Sequence, residues 1–206
     1  MPQVDHPNVV KVYEYGKIDN VPYLVLEWVE GGNLLDKIKN GPIDQTKVKE
    51  LASEILMGLD AVHKTGLIHR DLKPDNVLIC HNGSAKLGDF SLSGYISPSG
   101  LTEHNAMIGT PAYFAPELTD GSQATVASDL YSVGMILFES LTGSNPFSDV
   151  DPIIALGMIH KTTLPSLSEK GSIESSLAHL VDLLLSRQSS DRPPSAMKAL
   201  EILSGI

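Results

Sequence analysis

Apolar residues near the start of the chain alternate as they do in strands. Val9, Val10, Val12 and Tyr13 lead into Gly16, and after Asp19-Asn20 a β-rich run follows at Tyr23-Leu24-Val25-Leu26. A turn-forming dipeptide between two such runs predicts an antiparallel pair. Gly31-Gly32 then interrupts the pattern as a flexible joint would. Beyond it the period becomes helical: Val48, Leu51, Ala52, Ile55, Leu59 and Val62 recur every three or four residues. Asp44 is placed to cap that helix, because its carboxylate can accept from exposed backbone N–H groups. Gly66 stands where a left-handed stop belongs. A compact strand-and-turn section is predicted over 67–87, with Asn82-Gly83 as its hairpin signal. Residues 91–110 are polar, rich in serine and glycine, and without sustained period; so long a loop in a compact domain is usually functional or disordered. Helical patterns return over 128–141, ended by Gly143, over 175–185, and over 196–203, which Pro193-Pro194 introduces. No internal repeat is evident. The predicted layout is a small strand unit joined to a mainly helical body.

Composition narrows what such a chain can do. Its 206 residues suit one large domain or a piece of something longer, and 42% hydrophobic content excludes disorder throughout. Fifteen basic against 25 acidic residues leave a net charge of −10, which argues against a phosphate-backbone binder and so against nucleic acid as main partner. The first ten residues have neither a basic region nor an apolar one of the secretory kind, and no stretch reaches the ~18 apolar residues of a membrane span. A single cysteine, Cys80, rules out a disulfide framework and fits a reducing, cytoplasmic setting. Its place in the strand-turn region predicts a small buried apolar residue.

Chemistry concentrates in His69-Arg70-Asp71-Leu72-Lys73-Pro74-Asp75-Asn76. It fits H-R-D-x-x-x-x-N, and it is followed in order by Asp89-Phe90-Ser91 and Ala115-Pro116-Glu117. On these motifs the chain resembles a Hanks-type serine/threonine protein kinase. The resemblance implies an α+β, protein-kinase-like fold, with a mainly helical C-terminal lobe over 31–206 and the last strands and hinge of the small lobe over 1–30. Its activation segment would run over about 89–117. ATP and Mg²⁺ are the implied cofactors, and a protein or peptide hydroxyl the implied substrate.

Phosphoryl transfer needs an in-line hydroxyl, a held nucleotide and cations on the phosphate oxygens. In that scheme Asp71 orients the hydroxyl and accepts its proton, while Lys73 contacts the transferred phosphate. Asn76 and Asp89 offer hard oxygen ligands to Mg²⁺, which keeps several waters and needs few protein groups. An isolated Asp would be only a solvated loop carboxylate; the ordered motifs reverse those odds for Asp71. His69 is expected to pack against Phe90 and do no acid–base work. Further positions follow from the resemblance alone. Glu27-Trp28-Val29 corresponds to the hinge that meets adenine, with Leu26 at the gatekeeper place, Asn33 near the ribose and Leu78 beneath the ring. Gly109-Thr110-Pro111 would end the activation segment at a substrate-binding loop. Glu117 and Arg192 would form an architectural ion pair, and Asp129 would anchor the catalytic-loop backbone. Arg70 beside Asp71 suggests control by a phosphate on the loop, with Ser97, Ser99 and Thr102 as candidate acceptors.

Two departures stand out. Ser91 occupies a position where the family usually has glycine, so the Asp89-Phe90 segment should flip less easily. The Gly-rich loop, the strand lysine and the helix-borne glutamate of a small lobe have no counterpart here, and the similarity begins at Asp5-His6-Pro7-Asn8. Val9, Val12, Leu24 and Leu26 should then be bared, and a partner or the missing part of the lobe needed for stability. A truncated, catalytically impaired binding module is therefore the alternative to an active kinase region. A helical adaptor matching by accident is the remote third reading.

Overall fold

A computed structural model describes residues 4–89 and 110–205. Phe90, Ser91, Gly109 and the candidate acceptors Ser97, Ser99 and Thr102 lie outside them, as does the expected His69–Phe90 contact.

The chain opens with an antiparallel pair, β1 (Val12–Ile18) and β2 (Val21–Leu26), in register from Glu14 opposite Val25 to Ile18 opposite Val21, with an irregularity between Val12 and Glu14. Asp19 and Asn20 turn it with φ of 50° and 65°, the left-handed conformation that a tight hairpin demands and that these two residue types tolerate. A second hairpin, β3 (Val77–Ile79) with β4 (Ala85–Leu87), forms over the Asn82-Gly83 signal. The two are laced together by the backbone: Val10 N donates to Leu87 O, and Leu87 N to Asn8 O. That lacing also corrects one expectation. Val9 is not bared but 3% exposed, in a parallel bridge to Leu87. Leu24 and Leu26 are exposed as expected, together with Tyr13, Tyr15, Ile18, Val21, Val25 and Trp28, while Val12 is half-buried.

Among the described residues six α-helices make up the body: α1 (Leu34–Ile38), α2 (Gln45–Lys64), α3 (Val126–Thr142), α4 (Pro152–Lys161), α5 (Ser175–Leu184) and α6 (Ala196–Ser204). Asp44 caps α2, accepting from Thr46 N and Lys47 N. Gly66 follows the helix at φ 81°. α3 is buried all round from Ser128 to Ser140, the mark of a helix at the centre of a core. Its Gly134 lets α5 come close; a β-carbon there would stand 2.8 Å from Leu184 Cβ. α2 and α5 pack against α3, and α6 against α2 and α5, in a core that includes Leu51, Ile55, Leu59, Leu180, Val181 and Leu203.

α1 and α4 are not among the expected elements. α1 is a single short turn begun by Asn33, whose Oδ1 accepts from Asp36 N. α4 starts with an Asp151 cap and Pro152, but its exposed Ile153 and Ile154 blur the amphipathic period.

The joint at Gly31-Gly32 is a packed junction. Ile79 N donates to Gly32 O, and a β-carbon at Gly31 would stand 2.1 Å from Ile79 O. Gly31→Ala should therefore push the segment after β2 off β3 and cost about 1–3 kcal/mol, as overpacking does. Urea denaturation beside the parent chain checks this; an unchanged midpoint would show that the junction yields freely.

Candidate active site

The predicted chemical residues meet where the 69–76 loop passes between α3 and the β3–β4 hairpin. Arg70 sits at φ 71° and Asp89 at φ 54°, conformations that cost a non-glycine residue of order 1–3 kcal/mol and must be held by their surroundings. Asp129, 2% exposed on α3, supplies that hold at Arg70. Its Oδ2 accepts from His69 N at 2.8 Å and its Oδ1 from Arg70 N at 3.0 Å. His63, in the last turn of α2, donates from Nε2 to the same carboxylate at 2.8 Å. Sequence reasoning overlooked His63, because nothing local pairs it with Asp129, 66 residues further on.

With the backbone fixed, the side chains converge. Lys73 Nζ donates to Asp71 Oδ2 at 3.0 Å and to Thr110 Oγ1 at 3.2 Å. Asn76 Nδ2 donates to Asp71 O at 2.7 Å and to Asp71 Oδ2 at 3.1 Å. Asp71 is thus held on Oδ2 by a cation and an amide. Asn76, having turned its amino group inward, keeps its Oδ1 free of any hydrogen bond among the described residues. Gly88 N donates to Asn76 O at 2.8 Å, which brings Asp89, the next residue, to the same end of the cleft. His69 donates from Nε2 to Gly88 O at 3.0 Å. Burial lowers the His69 pKa, against the opposing pull of Asp129, Asp71 and Asp89, so its ring is neutral at pH 7.

A hard cation fits this donor set. Among the described residues no three His, Cys, Asp or Glu side chains gather as a metal site. One amide oxygen from Asn76 and one carboxylate from the exposed Asp89 suit an ion that draws its other ligands from water and phosphate.

The expected hinge adjoins this cleft. Glu27 N donates to Lys11 O, and the Glu27 carboxylate pairs with Lys86 Nζ at 2.9 Å while accepting from Lys11 N. Burial pushes the Glu27 carboxyl up, but Lys86 and the Lys11 N–H outweigh it and hold it below the usual range. The latch between Glu27 and Lys86 joins residues 59 apart and was not anticipated. Val29 follows on the same segment, and Leu26 ends β2. Asn33 bridges to Leu78 on β3, so both stand on the floor below that segment.

Behind the site, Arg192 has a fully buried side chain and every N–H occupied. It donates to Glu117 at 2.7 and 2.8 Å and to the carbonyls of Ser186, Ala127 and Arg187, and it lies 4.9 Å over the Tyr131 ring. Burial pushes the Tyr131 phenol up to about 12, with Arg192 opposing. Tyr113 donates to Glu139 at 2.6 Å in the same layer. The Arg70 guanidinium is different: its Nε and one Nη are buried with no hydrogen-bond partner among the described residues, beside Thr110 and Tyr113. Cys80 is half-exposed instead of buried, because β3 ends at Ile79 and the turn lifts it toward solvent.

Comparison with known proteins identifies the family. The protein kinase domain model matches residues 1–202. The chain is 41% identical over 169 residues, 81% of its length, to the probable serine/threonine-protein kinase PknB of Lactococcus lactis, and covers 27% of that protein. It is 34% identical over 98% of its length to the probable serine/threonine-protein kinase pknA2 of Bifidobacterium longum, covering 27% of it. It is 37% identical over 76% of its length to the serine/threonine-protein kinase PrkC of Bacillus subtilis, covering 24%. The chain thus spans about a quarter of the length of these curated relatives. With an α+β fold and a family match over nearly its whole length, the chain belongs to the protein kinase domain family, and it is similar to proteins named serine/threonine kinases.

Proposed function

We propose that this chain is the catalytic region of an ATP-dependent protein serine/threonine kinase acting in the cytoplasm. One observation carries the reading: Lys73 spans Asp71 and Thr110 while Asn76 clamps Asp71 from the other side. A carboxylate, an ammonium and a side-chain amide in mutual contact support that reading.

Mg²⁺-ATP, when bound, supplies the transferable phosphoryl group and the cations that neutralise charge on its oxygens. Asp71 orients the serine or threonine hydroxyl and takes up its proton as the oxygen attacks. Lys73, fixed by Asp71 and Thr110, presents its charge to the moving phosphoryl oxygens. Asn76 and Asp89 would hold the metal. The main chain at Glu27 and Val29 would meet the adenine, with Leu26 at the inner end of the pocket, and Asn33 and Leu78 would meet the ribose and the ring. Asp129, Glu117 and Arg192 hold the scaffold. Arg70, with buried donors to spare, receives a phosphate carried on the segment over 89–117.

In this reading residues 1–30 complete a small lobe and 31–206 form the helical one. The exposed apolar side of β1 and β2 packs on the rest of that lobe or on a partner. The same bare face favours a second reading, in which the chain binds partners without transferring phosphate.

Transfer from γ-labelled ATP to a basic protein, followed by acid hydrolysis, separates the two. Label on phosphoserine and phosphothreonine supports the kinase. Label on tyrosine alone would refute the substrate class, and no transfer by the longest natural form carrying this span would favour the binding module.

A further inference from the structure

A cavity of about 350 Å³ opens between α1, the start of α2 and the turn after β3, with no residue of the 69–76 loop in its lining. That volume is within the range of small-molecule sites. Its floor is apolar: Leu34, Leu51 and Ile79 are buried, and Ile43 is partly so. Its lining includes two exposed lysines, Lys37 and Lys47, and the exposed His81 in the turn after β3. No carboxylate side chain lines it among the described residues. Lys37 has no ion-pair partner among those residues, whereas Lys47 holds Glu50 at 2.8 Å in a solvent-exposed pair that can be exchanged. In a chain with a net charge of −10, an apolar cup rimmed by two lysines, one of them unpaired among the described residues, is a local inversion.

We infer that this cavity is a binding site for a small amphipathic carboxylate, with its alkyl or aryl body on Leu34, Ile43, Leu51 and Ile79 and its acid group between Lys37 and Lys47. An apolar ligand would gain the floor alone. A purely ionic one would gain only screened surface charge, so the combination selects a molecule carrying both. The site lies beyond the phosphoryl-transfer reading and shares none of its residues. It touches the hinge only through Gly31, which packs on Ile79.

Cys80 lines the cavity and is the chain's single cysteine, so its thiol reports occupancy directly. The test is the rate at which the folded chain reacts with an aromatic disulfide reagent as octanoate is added below its micelle concentration. Octanoate should slow labelling saturably and raise the melting temperature. Lys37→Glu, a change at an exposed position, should raise the half-protecting concentration by about fivefold, the scale of a partly exposed ion pair. Octanol should protect far less. An unchanged rate with octanoate, equal protection by octanol, or a Lys37→Glu chain that responds as the parent does would each overturn the assignment.

Discussion

Asp71→Asn should lower the rate of phosphate transfer by about 10²–10⁴-fold, the usual contribution of a positioned general base. The substitution keeps the size of the side chain and an acceptor oxygen for Lys73 Nζ and Asn76 Nδ2, so the loop should remain folded. What it removes is the charge that draws the hydroxyl proton and the site for that proton to go. Lys73 tolerates the loss because its side chain is 20% exposed and still bonds Thr110. Initial rates with a basic protein substrate, beside matched melting curves, check the outcome. Equal rates would leave Asp71 a structural clamp and remove the base from the mechanism.

Arg192→Ala should be the most destabilising single change, at about 3–5 kcal/mol, because it strands the Glu117 carboxylate and three backbone carbonyls that its guanidinium now serves. For a chain of this length that is a fall in melting temperature of roughly ten degrees. Lys198→Ala is the matched control. Its pair with Glu201 is 52% and 44% exposed, and losing it should change stability by less than about 1 kcal/mol. Equal effects of the two substitutions would mean that the buried fork is not what ties the Ala115-Pro116-Glu117 segment to the end of the chain.

These two sites were legible in the sequence to different degrees, and the reasons are physical. Asp71, Lys73 and Asn76 lie within six residues, so a short loop with Pro74 in its first turn necessarily brings them together. Glu117 and Arg192 are 75 apart, and only the family resemblance paired them. The long helices were readable because α2, α5 and α6 bury one continuous face, while α4 hid behind Ile153 and Ile154 on its solvent side. Contacts that depend on how distant elements dock carry no local pattern. His63 against Asp129, Lys86 against Glu27, and Val9 beside Leu87 are all of that kind. Neither alternation nor spacing announces such a contact before the core is assembled.

The most direct test of the account is where a bound metal–nucleotide sits. With ADP and Mn²⁺ added to isotopically labelled chain, the paramagnetic ion should broaden the Asn76 side-chain amide and the Asp89 backbone amide first. The Lys198 backbone amide, capped by Ser195 at the start of α6, which packs on α2 and α5, should stay sharp. Broadening spread evenly over the chain, or centred away from Asn76 and Asp89, would contradict a cleft built by those residues with Asp71 and Lys73.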